Sequence, residues 1–250
     1  VEFSPEQKAF LPVYGLDAKT ISTDFNATVY RFASPEAYAK ELMKYEQVPY
    51  WSWFQRNSYV VTTSSLARAF QTPLVVEQGE YGDTNLRFPN KLTVGWYVAD
   101  ITAAKKTRQI LFQVTPWGVF STNAAGKIVV WVNNLLTQTP AVSMNVTTVS
   151  GTIMGTTNAQ GVVQLVERDV FSSTSSFQTA YVVVGAGSNA VVVGVGQNSG
   201  IVPYDDMRPM GNSYSDYWRY VTTDRQVYKT GDTAQVWGFV APREKGAAKP

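Results

Sequence analysis

Between residues 119 and 196 one cadence governs the chain: short runs of β-branched residues, broken by turn signals every eight to twelve positions. KIVVWVNNL (127–135), VSMNVTTVS (142–150), GVVQLVE (161–167), AYVVVGAG (180–187) and AVVVGVG (190–196) have the composition of strands. Asn123–Gly126, Thr139-Pro140, Asn158–Gly161 and Gly187–Asn189 separate them with residues that suit tight turns. Strands this short bury little surface alone and must stack as two sheets over a shared core. The spacing predicts an all-β sandwich of about 100 residues.

Upstream the texture is mixed. In ISTDFNATVYRF (21–32), Phe25, Ala27, Val29 and Arg31 alternate with Asn26, Thr28, Tyr30 and Phe32, as in a strand. SPEAYAKELMKYEQ (34–47) is predicted helical. Ser34 caps it, Pro35 fits the first helical position, and Glu36 meets the positive end of the helix dipole. Tyr38, Leu42 and Tyr45 then share one face. SSLARAFQ (64–71) is predicted as a second short helix, stopped at Thr72-Pro73. LTVGWYVADIT (92–102) and TRQILFQVT (107–115) read as a hairpin, with a domain boundary at Pro116–Gly118. Residues 197–216 form a connector rich in Gly, Pro, Asn and Ser. YVTTDRQVYKTGDTAQVWGFV (220–240) then reads as two strands around a tight turn, the opening of a further sandwich. The expected fold class is mainly β: tandem immunoglobulin-like antiparallel β-sandwiches, with one or two short helices in the first domain.

Composition narrows function more than fold. The chain has no cysteine and no histidine among its 250 residues. That removes disulfides, thiolate metal sites, a cysteine nucleophile, an intramolecular thioester, the Ser-His-Asp triad and the usual zinc ligand. Catalysis would have to rest on Asp, Glu, Lys or Tyr, and these form no clustered motif. The expectation is a non-enzyme with no cofactor and no metal. A formal net charge of +2 with no basic block leaves no electrostatic footprint for nucleic acid. The longest apolar run, YVVVGAGSNAVVVGVG (181–196), is interrupted by glycines and Ser188-Asn189, so no membrane-spanning helix is expected. The chain begins at Val1 without a methionine or a signal peptide, which fits either removal of a targeting segment or an excised piece.

Several local patterns admit a functional and a structural interpretation. VVVGAGSNA (182–190) places Gly185, Gly187 and Ala190 at the small positions of a loose dinucleotide fingerprint. That motif requires a helix to start at the loop, whereas Val191, Val192 and Val193 favour a strand, so a hairpin turn is expected. VPYWSWFQR (48–56) and NSYSDYWRY (212–220) are dense in aromatics and lack clean strand alternation. Trp51, Trp53 and Trp218 are therefore candidate binding aromatics, against packing between domains. Asp205-Asp206, alone in a proline-containing connector, falls short of a calcium site.

The most specific pattern is TTDRQVYKTGDTAQVWGFV (222–240), which resembles the start of a macroglobulin-type domain in the α2-macroglobulin family, especially its bacterial members. Thr223, Asp224, Arg225, Tyr228, Gly231, Val236 and Gly238 keep the family phrase, while Gln226 and Thr230 replace prolines and Lys229 replaces an arginine. Gly231 is expected to supply a positive φ at the turn and Tyr228 to be buried between sheets. Upstream, Val130, Trp131, Val132, Asn134, Leu135, Thr139, Pro140, Thr157, Asn158, Ala159 and Gly161 resemble the preceding macroglobulin domain, although the glycine usual before the proline is missing. LTVGWYVADI (92–101) resembles the strand that ends the domain before it.

The resemblance implies three units: 1–115, an N-terminal macroglobulin-like β-sandwich with a helical insertion; 116–205, a second such sandwich; and 206–250, a connector with the first strands of a third, truncated one. It further implies a non-catalytic scaffold from a secreted, periplasmic or cell-surface protease trap, without bait or thioester regions here. The expected partners are the remaining domains of the parent chain and, for the full-length protein, target proteases. On this expectation the chain is the N-terminal piece of a longer protein, with APREKGAAKP (241–250) as the loop where it was trimmed. The alternative is a cell-surface adhesin or glycan-binding sandwich.

Overall fold

The computed structural model describes residues 1–13, 24–48, 52–78, 84–103, 106–124, 127–171, 180–195, 217–223, 231, 233 and 235–242. The chain divides into two compact units, Val1–Pro203 and Tyr204–Pro250. No helix among the described residues is long and apolar enough to cross a membrane.

The first unit opens with a seven-stranded sheet built from β1 (Glu2–Phe3), β2 (Phe10–Val13), β3 (Phe25–Arg31), β4 (Ala67–Gln78), β5 (Thr84–Arg87), β6 (Gly95–Ala103) and β7 (Lys106–Val114). Their order is β1-β7-β6-β3-β4-β5-β2, antiparallel except where β1 joins β7. Phe3 from one end of the sheet and Leu11 from the other share a core with Phe25, Val29, Leu86, Phe88, Tyr97 and Phe112, so the sheet curls around it. The curl turns on β4, whose first part pairs with β3 and whose last residues pair with β5. The predicted helix at 64–71 is thus a strand from Ala67 onward. Phe70, Thr72, Leu74 and Val76 turn toward the protein while Gln71, Pro73 and Val75 are exposed. This period of two, together with pairing to β3, overrides the helix propensity of Ala and Arg.

Helix α1 (Pro35–Gln47) forms as expected, with Ser34 Oγ accepting from the Ala37 N–H at 3.2 Å. A second helix, α2 (Trp53–Ser58), lies in the aromatic segment instead of at 64–71.

The remainder of this unit is a sandwich. One sheet contains β8 (Trp117–Ala124), β9 (Lys127–Asn134), β10 (Thr139–Pro140) and β13 (Val162–Val166). The other runs β12 (Ile153–Thr156), β11 (Asn145–Thr148), β14 (Ala180–Val184) and β15 (Val191–Val195). A helical turn, α3 (Glu167–Val170), follows β13. Ile128, Val130, Val132, Val146, Leu165, Val182, Val184, Val191 and Val195 fill the space between the sheets.

A third cluster joins the curled sheet to this sandwich: Phe32, Tyr38, Ala39, Val61, Trp96 and Val98 pack with Val183, Ala190 and Val192. The β14–β15 hairpin is therefore apolar on both faces, which is why its sequence is a nearly continuous valine run.

In the second unit, β16 (Tyr217–Thr223) and β17 (Val236–Pro242) pair antiparallel, with Thr223 opposite Val236 and Val221 opposite Gly238. The first strand starts upstream of the expected position and takes in Tyr217–Tyr220, a segment read as lacking strand alternation.

Candidate interaction surfaces

The residues of the macroglobulin-like phrases have identifiable structural work. In β9, Val130 and Val132 enter the core, and Asn134 Oδ1 accepts from the N–H groups of Leu136 and Thr137 to close the following turn. Leu135 lies over Gly118, where an added Cβ would come within 2.8 Å of Leu135 Cδ2. Thr157, 3% exposed, ties two segments together: its hydroxyl donates to the Ala141 carbonyl at 2.6 Å and accepts from the Met144 N–H at 2.9 Å. Asn158 Oδ1 accepts from Gln160 and Val162, and Gly161 completes the turn at φ +72. A side chain there would place its Cβ 2.3 Å from the Val132 carbonyl oxygen, so both conformation and space demand glycine.

In the last phrase, Gly231 has φ +93 with open space around it, so its glycine answers to backbone conformation alone. Val236 is 65% exposed, and Thr223 and Gly238 take their places in the ladder. Asp224, Arg225 and Tyr228 lie outside the described residues.

Of the candidate aromatics, Trp51 lies outside the described residues, and Trp53 and Trp218 are placed only by backbone, in α2 and β16. Their neighbour Phe54 is 92% exposed. The helix that carries it is held to α1 by Arg56, which donates to Glu46 Oε2 at 3.0 Å and to the Val48 carbonyl at 2.9 Å and lies 5.0 Å from the Tyr45 ring centre. Tyr59 donates to Glu41 Oε1 at 2.5 Å. Partial burial and that carboxylate push the Tyr59 phenol well above its ordinary range.

A further aromatic surface was not singled out from sequence. On the outer face of the β8–β9–β13 sheet, Phe120, Trp131 and Val162 stand opposite one another across three strands. Phe120 is 39% exposed and Trp131 44%. Thr122, Val129 and Gln164 flank this row, and Lys127 Nζ donates to Gln164 Oε1 at 3.3 Å. The signal was present in KIVVWVNN: if Ile128, Val130 and Val132 point inward, period two sends Trp131 to solvent. The exposed rings, flanked by Thr122, Val129 and the Lys127–Gln164 pair, suit an apolar surface with a polar edge.

The loose dinucleotide fingerprint is a hairpin turn. Gly187–Asn189 make one 3-10 turn and lead straight into β15, with Gly185 at φ +88 and Gly187 at φ +62. A cleft of about 330 Å³ lies between this turn and the start of α1, lined by Arg31, Ser34, Glu36 and Trp96. Arg31 already donates to the Val94 carbonyl at 3.1 Å, Ser34 is spent on its cap, and Glu36 adds a negative charge to the lining. Burial pushes the phenols of Tyr38 and Tyr181 far above their ordinary range. Among the described residues no three Asp or Glu side chains gather as a metal site. Asp205-Asp206 lies outside them.

No protein-family model and no curated protein matches the sequence. Solved structures do. The NIE-MG1 domains of native alpha-2-macroglobulin from Escherichia coli align over 78% of this chain and 91% of that one, with a TM-score of 0.52 at 11% identity. A structure of the same protein spanning MG0-NIE-MG1 aligns over 70% of this chain and 56% of that one, with a TM-score of 0.47 at 13% identity. The fold, mainly β and built from several sheets, is thus of the macroglobulin type.

Proposed function

We propose that this chain is a non-catalytic scaffold: macroglobulin-type domains of a secreted bacterial α2-macroglobulin-like protease inhibitor, periplasmic or at the cell surface. The observation that carries this reading is the fold likeness to the NIE-MG1 domains over 78% of the chain. The phrases at 127–165 and 222–240 support it from sequence. The proposed division is 1–115, 116–205 and 206–250. The residues act by shape and hold the sheets together, and among the described ones no three Asp or Glu side chains gather as a metal site. Partners are then the other domains of the parent chain, and proteases are targets of the whole protein.

The test uses the full-length parent protein with a broad-specificity serine protease. The expected outcome is loss of activity on casein with retention on a small chromogenic peptide, because a caged protease still admits small substrates. The 250-residue chain alone should inhibit neither. Undiminished casein hydrolysis in the presence of the cleaved parent protein overturns the reading.

One observation favours a second reading, a surface adhesin or glycan-binding module: the exposed Phe120–Trp131–Val162 row. Binding on a glycan array that disappears with Trp131→Ala supports it. The same loss with Trp51→Ala, Trp53→Ala or Trp218→Ala would move the site to those segments, and an array without binding counts against the reading.

A further inference from the structure

Strand β7 carries two glutamines, Gln109 and Gln113, on the face that also presents Leu111 to the third cluster. Each makes the same pair of bonds to one residue's backbone. Gln109 Oε1 accepts from the Val61 N–H at 2.6 Å, and its Nε2 donates to the Val61 carbonyl at 3.2 Å. Gln113 Oε1 accepts from the Val192 N–H at 3.0 Å, and its Nε2 donates to the Val192 carbonyl at 2.7 Å. A side-chain amide has a donor and an acceptor side by side, so it can replace one residue of a neighbouring strand.

The two clasps differ in what they join. Val61 belongs to the segment between α2 and β4, within the first sheet's own connections. Val192 lies in β15, the last strand of the order β12-β11-β14-β15. The outward backbone groups of an edge strand have no strand to pair with, and here the Gln113 amide meets them. Gln113 is 3% exposed, and its second amide proton goes to Glu2 Oε1 at 2.5 Å, so both of its amide protons are used. Around it the contact is made by apolar side chains, which resist separation but do not select one angle of approach. The amide pair does select one, because two parallel bonds hold only at a single position along the strand.

We propose that Gln113 is the pin that fixes the curled sheet and the sandwich of Val1–Pro203 into one rigid module, with Gln109 doing the same chemistry wholly inside the first part. This holds whatever larger assembly the module serves.

The absence of cysteine makes the test clean. In the 250-residue chain, Asn26→Cys and Gln160→Cys place spin labels on exposed sites of the two parts. The parent pair is expected to give one narrow distance distribution and one thermal transition. Gln109→Leu should lower the midpoint, speed hydrogen exchange at the Val61 amide and leave the distance unchanged. Gln113→Leu should speed exchange at Val192, broaden the distribution and split the transition in two. If that variant fails to fold, Gln113→Asn, one methylene too short to reach both groups, should broaden the distribution more mildly. A broad distribution in the parent pair overturns the proposal. So does a folded Gln113 variant whose distribution stays as narrow as that of Gln109→Leu.

Discussion

The β14–β15 hairpin and the β8–β9–β13 sheet face each other across the same core, yet they are written differently. In the hairpin, Val182, Val184, Val191 and Val193 meet that core while Val183 and Val192 meet α1 and the curled sheet. In the opposite sheet, Ile128, Val130, Val132, Val163 and Leu165 are buried and the residues between them reach water. A continuous apolar run reports burial on two faces, and alternation reports burial on one. The hairpin is therefore a joint as well as a sandwich wall, and the outer face of the β8–β9–β13 sheet is free to serve as a surface.

The comparison breaks first at Val183. This residue is 2% exposed against α1, and Val183→Asp would bury a carboxylate without a partner. It is expected to cost about 4 kcal/mol or more, removing the cooperative urea transition or moving it far down. Val166→Asp, on the outer face of β13 and opposite Lys127 in β9, is expected to stay within about 0.5 kcal/mol of the parent. Equal losses at the two sites would show that the hairpin's second face is not a buried joint. Next in size is Gly161→Ala. Its Cβ would strike the Val132 carbonyl and its φ of +72 would be strained, so a loss of about 3 kcal/mol is expected in the same titration. A loss under about 1 kcal/mol would mean that the turn relaxes without disturbing β9. Gln138→Gly should move stability the other way. Gln138 is exposed and holds φ +56, the left-handed conformation that glycine adopts freely. Relief of that strain, set against the greater freedom of glycine in the unfolded chain, is expected to leave a gain of about 0.5 kcal/mol.

The position of Gln138 also shows what was legible beforehand. The glycine usual before Pro140 is missing from the phrase, and two residues ahead of that proline Gln138 takes a positive φ of +56. Elements with strong local signals were readable: Ser34, Pro35 and Glu36 start α1, and the valine runs mark β14 and β15. What escaped depended on partners distant in sequence. Ala67–Gln78 looks helical over its first residues until β3 and β5 claim it as a strand. Tyr217–Tyr220 looks like an aromatic cluster until pairing with β17 gives it a register. Aromatic density marks 48–56 and 212–220 in the sequence, whereas Phe120 and Trp131 are eleven residues apart in the chain and meet through the β8–β9 ladder.

Trp131 is where the fold and the surface separate most cleanly. An indole in a core is worth several kcal/mol, and its removal there costs about 3–5 kcal/mol. At 44% exposure, on the outer side of a strand whose inward residues carry the core, Trp131 should contribute far less to folding. Trp131→Ser is therefore expected to change the urea midpoint by no more than the equivalent of about 0.5–1 kcal/mol, most of it lost contact with Phe120. A loss of 3 kcal/mol or more would mean that the indole is structural and that the outer face is a wall of the fold. With stability unchanged, any partner bound by the intact chain and lost with Trp131→Ser must use this face. The chemistry of that partner then divides the scaffold reading, in which the other domains of the parent chain cover the row, from the adhesive one, in which a glycan does.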